Sequence, residues 1–280
     1  MKYQLISGRK FNKALSRFRL KEFQSIEFTD EIAPKGVKLK DLSNDKDGSV
    51  VGWMEDNGVY KVSTQLEGQE VIFNEDCKKM FANFLELKEI DFSMIDTTHV
   101  TDMSEMFTDC IRLRALYLYT FDTSNVIDMS GMFAGCKSLT CLHLYSFDTS
   151  NVTDMKYMFL DCMSIQALEL NRFDTNKVCN MENMFRGCNN LMYLDLSSFN
   201  TLNVTNMDHM FAACYYITQL NLNGFDTSKV TNMEAMFAWC ECLEKADFSK
   251  FNISKVKNMD DMFIGCRALK HPDFISYKLN

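Results

Sequence analysis

Residues Phe147–Arg172 read FDTSNVTDMKYMFLDCMSIQALELNR, and the chain keeps rewriting this stretch. Phenylalanines stand at 121, 147, 173, 199, 225 and 251, a spacing of 26 residues without a slip. Ile95 holds the same phase one copy upstream, so seven consecutive copies fill 95–276. Self-similarity at one fixed period of this length marks a repeat array. Each unit is too small to bury its apolar face alone, and stacking on its neighbours completes the core.

Counting the Phe slot as position one, position six is Val in all seven copies (Val100 to Val256) and position nine is Met (Met103 to Met259). Positions twelve and thirteen are Met-Phe (Met106-Phe107 to Met262-Phe263), and position sixteen is Cys (Cys110 to Cys266). Offsets of three and four among these slots predict a short helix with one apolar face. Position eight is Asp or Asn throughout, from Asp102 to Asn258, and reads as the N-cap of that helix. Gly135, Gly187 and Gly265, just before the Cys, read as its C-terminal stops. The last third is L-x-x-L-x-L, as in Leu139, Leu142 and Leu144, whose final alternation predicts a short strand with one buried face. Each copy is then strand, turn, short helix, turn, with the strands stacked in parallel and the helices on the other side. At the end of the array position twenty-two changes from Leu to Ala246 and then Pro272, as suits a terminal edge.

Residues 69–94 form a partial repeat, in which Met80-Phe81 match Met106-Phe107 and Leu87, Ile90 and Phe92 match the strand. Residues 1–68 lie outside the period and read as an N-terminal capping region, and 277–280 as a short tail. Within the cap, Phe11, Leu15 and Phe18 have helical spacing and are surrounded by Arg9, Lys10, Lys13, Arg17 and Arg19. This predicts a basic lead-in helix, with a membrane or acidic partner as its sharper use. Phe23-x-x-Ile26-x-Phe28 has the spacing of a degenerate first strand. Val50, Val51 and Trp53, then Asn57-Gly58, then Val59, Tyr60 and Val62 predict a β-hairpin covering the open end of the core. Asp45–Asp47 with Gly48 lacks most of the ligands of a calcium loop and reads as a turn.

The 30 Lys and Arg against 38 Asp and Glu give a formal charge of −8, which does not suit a nucleic-acid partner. The imbalance is uneven, since residues 1–40 hold 10 basic and 4 acidic side chains. The start of the chain has no apolar run of signal-peptide length, and no later run is long enough to span a bilayer. A soluble, cytoplasmic protein is therefore expected. Seven of the 11 cysteines occupy one phase of the repeat, which predicts free core thiols in a reducing compartment rather than disulfides. Fourteen of 20 methionines fall in two core ladders, and His99, His143, His209 and His271 fall at different phases, so no metal site and no cofactor are expected.

The combination of LxxLxL strands with FDTSxVTxMxxMFxxC resembles the 26-residue repeats of BspA-like bacterial surface proteins, within the leucine-rich-repeat superfamily. The likeness covers about 69–276, and DGSVVGWMEDNGVYKVSTQ followed by VIFNEDCKKMF resembles the lead-in region of such proteins. The resemblance implies an α/β fold: a right-handed leucine-rich-repeat-like solenoid with a parallel β-sheet on the concave face and short helices on the convex face. It also implies adhesion or protein binding, with bacterial surface display as the alternative location, and no shared catalytic set. The chain shows no recognisable export signal, lipid-attachment Cys or wall anchor, and it has Phe where many leucine-rich repeats place a backbone-bonding Asn.

Repetition specifies the scaffold, so function is expected in the variable residues that rigid rows present to solvent. On an alternating strand, positions twenty-one, twenty-three and twenty-five face outward. The middle row reads Tyr117, His143, Glu169, Asp195, Asn221, Asp247, Asp273, and flanking rows add Tyr119, Tyr145, Tyr193, Lys245 and His271. Early copies are aromatic and later ones acidic. Tyrosines are common interface anchors, and the carboxylates suit a basic protein or peptide. Charge reversal of Asp195 and Asp247 is then expected to weaken partner binding without lowering stability. A purely structural or glycan-binding role is an alternative. A further one is a cysteine-dependent hydrolase in which Cys141 is the nucleophile, His143 the base and Glu169 the orienting acid.

Overall fold

A computed structural model describes residues 1–16 and 23–270. The lead-in helix is present as α1 (Gly8–Leu15). Phe18, Arg17 and Arg19, read as its continuation, lie outside the described residues. The strands that follow are β1 (Ser25–Thr29), β2 (Lys40–Asp41), β3 (Val51–Met54), β4 (Val59–Ser63), β5 (Val71–Ile72), β6 (Glu89–Asp91) and β7 (Ile95–Asp96). The repeats then contribute β8 (Ala115–Tyr117), β9 (Cys141–His143), β10 (Ala167–Glu169), β11 (Tyr193–Asp195), β12 (Gln219–Leu220) and β13 (Lys245–Ala246). The protein is mostly β, with several small parallel sheets and no closed barrel.

The first sheet has the order β2-β3-β4-β1-β6. Strands β3 and β4 are the expected hairpin, antiparallel with Trp53 opposite Lys61. Its turn uses Gly58 at φ +86°, the left-handed conformation that glycine adopts without a Cβ clash. Trp53, Tyr60 and Val62 are buried beneath it. Strand β1 runs parallel to β6, with Ile26 beside Ile90, so the Ile26-x-Phe28 part of the expected first strand does pair with the array, and Phe23 lies ahead of it. Helix α1 closes the same end. Gly8 packs so tightly that a Cβ there would sit 2.5 Å from the Cys77 carbonyl carbon, and Asn12 Nδ2 donates to the Ala82 carbonyl at 2.8 Å.

One hydrophobic core runs from α1 to the last described copy. Its axis is a column of position-thirteen phenylalanines. Phe81, Phe107, Phe133, Phe159, Phe185, Phe211, Phe237 and Phe263 follow one another with ring centroids 5.3–5.7 Å apart and planes within 12° of parallel. That separation lies in the range of offset-stacked aromatic pairs. Phe11 from α1 meets the first ring, Phe81, edge-on at 5.7 Å.

The repeats carry no helix; α1 is the only one among the described residues. Positions nine to sixteen form instead a chain of overlapping turns. In the copy from Ile95, Met106 N–H donates to Met103 O, Thr108 to Glu105 O and Cys110 to Phe107 O, each three residues back. An α-helix needs bonds four residues back. Positions eleven and fifteen have positive φ in every copy, as at Tyr157, Asp161, Asn183, Gly187, His209 and Ala213. This is the third-residue signature of type II turns. The reversal turns alternate N–H groups toward the next copy. Met103, Glu105, Phe107 and Asp109 donate to Asp128, Ser130, Met132 and Ala134 at 2.7–3.0 Å. Apolar spacing of three, one and three buries the same side chains in either conformation. Only the turns let the backbone bond across copies.

The glycines read as helix stops do have the expected left-handed conformation, with Gly135, Gly187 and Gly265 at φ +71° to +76°, but they sit inside this turn chain. The position-eight residues likewise accept the bond expected of a cap, as Asp128 Oδ1 does from Ser130 N at 2.8 Å. Their backbones also form an unbroken parallel ladder from Asp76 through Asp102, Asp128, Asp154, Asn180, Asn206 and Asn232 to Asn258. The L-x-x-L-x-L strands pair only two at a time, β8 with β9, β10 with β11 and β12 with β13. A continuous sheet on that side is therefore replaced by short pairs of two or three residues per strand.

Candidate functional site

Strands β8 to β13 bury Leu116, Leu168, Leu194 and Leu220 and turn the intervening residues to solvent. Tyr117, Tyr119, Tyr145 and Tyr193 are each more than half exposed. His143, Glu169, Asn221, Lys245 and Asp247 are exposed, and Asp195 is partly covered. Asp273 and His271 lie outside the described residues.

The early copies gather an aromatic cluster. The His143 ring stacks on Tyr117 with centroids 6.3 Å apart and an interplanar angle of 27°, and Tyr145 tilts against it at 6.4 Å. Cys141 and His143 point the same way, with Sγ and Nε2 3.3 Å apart. Among the described residues no hydrogen bond joins the Glu169 carboxylate to His143, so two of the three groups of the hydrolase reading meet.

The late copies form a groove of about 980 Å³ whose walls include Tyr193, Asp195, Gln219, Asn221, Lys245 and Asp247. Five of the residues read from the sequence thus share one concavity. Two of the carboxylates do structural work as well. Asp195 Oδ1 accepts from Ser197 N at 2.9 Å and Asp247 Oδ1 from Ser249 N at 2.8 Å, while Asn221 Oδ1 accepts from Asn223 N at 3.1 Å. These bonds, from the backbone N–H and then the serine hydroxyl, hold both carboxyls below their ordinary range and keep them ionised at neutral pH. Charge reversal at Asp195 or Asp247 therefore removes a turn bond along with the charge, contrary to the expectation that stability would be untouched. The signal was in the sequence: D-x-S and N-x-N are Asx-turn spacings.

A second missed feature is a buried hydroxyl row. Thr97, Thr123, Thr149, Thr175, Thr201 and Thr227 are at most 1% exposed and recur at position three. Thr123 Oγ1 both donates to the Asp148 carbonyl and accepts from the Asp148 N–H, each at 2.8 Å. The cysteine row is similarly structural. Each position-sixteen thiol donates to a phenylalanine carbonyl one copy back, at 2.9–3.2 Å. Burial pushes the Cys136 thiol up to about 12 and raises its neighbours in the row, so these sulfurs are poor nucleophiles and poor ligands at neutral pH. All eleven cysteines are free thiols. Among the described residues no group of three His, Cys, Asp or Glu side chains is placed to hold a metal. No described helix is long and apolar enough to cross a membrane.

Compared with known families, residues 75–169 and 160–276 each match the one described as "Mycoplasma protein of unknown function, DUF285". No curated protein and no solved structure matches the chain. The family description assigns no activity, and its two overlapping matches fit a chain built from BspA-like repeats. Together they span more than two thirds of the sequence, and the protein belongs to the DUF285 family.

Proposed function

We propose that this chain is a leucine-rich-repeat-like solenoid that acts as a non-enzymatic scaffold, binding a protein or peptide across the outward face of β8–β13. The observation that carries this reading is the pairing of exposed tyrosines with an adjoining groove, on one row of strands, whose charged lining is Asp195, Glu244 and Asp247 with Lys245 and Lys270. Tyrosine offers a large rigid contact area with a polar tip, and ionised Asp195 and Asp247 favour a ligand segment bearing Lys or Arg. The copies that carry the face share one continuous core, so it is presented with little ordering cost on binding. Eleven unpaired thiols, seven of them in one row of adjacent copies, support residence in a reducing compartment.

A peptide-display selection on the full chain, counter-selected on Tyr117→Ala/Tyr145→Ala/Tyr193→Ala, tests the proposal. Selected peptides should combine aromatic with basic residues and lose binding to the triple variant. Recovery of no binders, or of binders indifferent to the variant, would sink it. The Cys141–His143 contact supports a cysteine-dependent hydrolase as the second reading. That reading requires Cys141→Ser to abolish any hydrolysis the protein shows, while peptide binding on the tyrosine rows survives.

A further inference from the structure

Beside the early strands, at positions eighteen and twenty, lies a depression of about 480 Å³ lined by Lys88, Arg112, Arg114 and Ser138. It shares no residue with the tyrosine cluster or with the acidic groove. Three of its four walls are cations and the fourth is a hydroxyl. Every lining side chain can therefore donate a hydrogen bond, and the serine oxygen is the one side-chain acceptor among them. On a chain of net charge −8 this is an uneven place for positive charge to collect.

The cations are not equally committed. Lys88 Nζ donates to Gln24 Oε1 at 2.8 Å, and Arg112 is ion-paired with Glu86. The Arg114 guanidinium has no hydrogen-bond or ion-pair partner among the described residues, although it occupies the slot of Lys88 one copy on. Like charges at one slot of neighbouring copies repel each other, and an anion held between Lys88 and Arg114 would relieve that repulsion.

We propose that Lys88, Arg112, Arg114 and Ser138 form a binding site for a tetrahedral oxyanion, a phosphate or sulfate group. A carboxylate brings two oxygens to a site lined by three cations and a hydroxyl. A phosphate or sulfate brings three or four, and a guanidinium fork matches a pair of them. Glu86 holds Arg112 in the interim and exchanges its partner for the ligand.

The test is a titration of the full-length, isotope-labelled protein with sodium phosphate, sodium sulfate and sodium acetate against sodium chloride at matched ionic strength. Saturable shifts of the Arg112, Arg114 and Ser138 amides are expected for phosphate and sulfate. Arg114→Gln should weaken them about tenfold, in line with the loss of a charge-assisted hydrogen bond. Lys257→Gln, at a cation outside the depression, should leave them unchanged. A sulfated hexasaccharide separates two sources of the group: tighter binding than inorganic sulfate points to an ester carried on a larger molecule, and equal binding to the free ion. Either result supports the site. The absence of saturable shifts, equal affinity for acetate, or an Arg114→Gln protein that folds and binds as before would overturn it.

Discussion

The turn chain at positions nine to sixteen and the strand face at positions twenty-one to twenty-five solve the same problem differently. The turn chain sends backbone bonds to the next copy at nearly every second residue, and the neighbouring ladder runs from Asp76 to Asn258 without a break. Its side chains, Met, Met-Phe and Cys, hardly vary. The strand face pairs in twos, and its exposed residues change from copy to copy. Continuity of the backbone ladder goes with uniformity of sequence, and the side with the looser ladder is the side free to diversify. The division of labour between scaffold and surface is therefore written into the hydrogen bonding as well as the burial.

The sharpest way to break this contrast is a matched pair of truncations. Phe159→Ala removes a fully buried ring from the middle of the aromatic column and should cost about 3–5 kcal/mol. Tyr145→Ala, on the strand face, should stay within about 0.5 kcal/mol of the parent protein. Comparable midpoint shifts in urea unfolding would show that the face is as structural as the column.

A smaller effect tests the turns themselves. Gly187 and Ala213 occupy position fifteen of adjacent copies at φ +72° and +59°. Gly187→Ala should destabilise by about 1–2 kcal/mol, and Ala213→Gly should stabilise by up to about 1 kcal/mol. Equal midpoints, or shifts of the opposite sign, would rule out a left-handed turn residue at position fifteen. Unfolding midpoints of the two variants decide the matter.

The smallest effect lies on the strand face. Asp195→Asn keeps the acceptor for Ser197 N, as Asn221 does in the next copy, and should leave stability at neutral pH unchanged, whereas Asp195→Lys should cost about 0.5 kcal/mol. The folded carboxyl titrates below its unfolded value of 3.8. Its contribution is thus present above that value and disappears as the pH falls through the lower folded one. Asp195→Asn should lose less stability than the parent between neutral pH and that acid range, as read from thermal melts.

Much of the fold was legible because burial repeats in phase. The Val, Met, Phe, Cys and Leu slots, the hairpin at Asn57-Gly58 and the early strand at Ile26 all follow from patterning. The helix did not follow, since Met103, Met106, Phe107 and Cys110 face inward in a turn chain as they would in a helix. Glycine could have warned of positive φ, but Tyr157, Asp161, Asn183, His209 and Ala213 take that conformation without it. The threonine row was readable as a polar residue held at one phase, where it could be buried only by bonding the backbone. On the strand face the exposure of the tyrosines followed from alternation. The dual use of Asp195 and Asp247 depended on a backbone turn, and the cationic depression joins residues of separate copies just ahead of the alternating strand.

The threonine, cysteine and backbone ladders each join a copy to its immediate neighbours, at sequence separations of 25 to 29 residues. A copy can therefore be excised or duplicated in phase, and the new neighbours meet with matching slots. Loss of residues 147–172 would set Phe133 against Phe185 and place Tyr193 and Asp195 beside Cys141 and His143. Unequal recombination within such a gene rewrites the surface by whole rows while leaving every core contact with a partner of the same kind. The number of copies, as much as any single substitution, is then the variable on which selection for a new ligand acts.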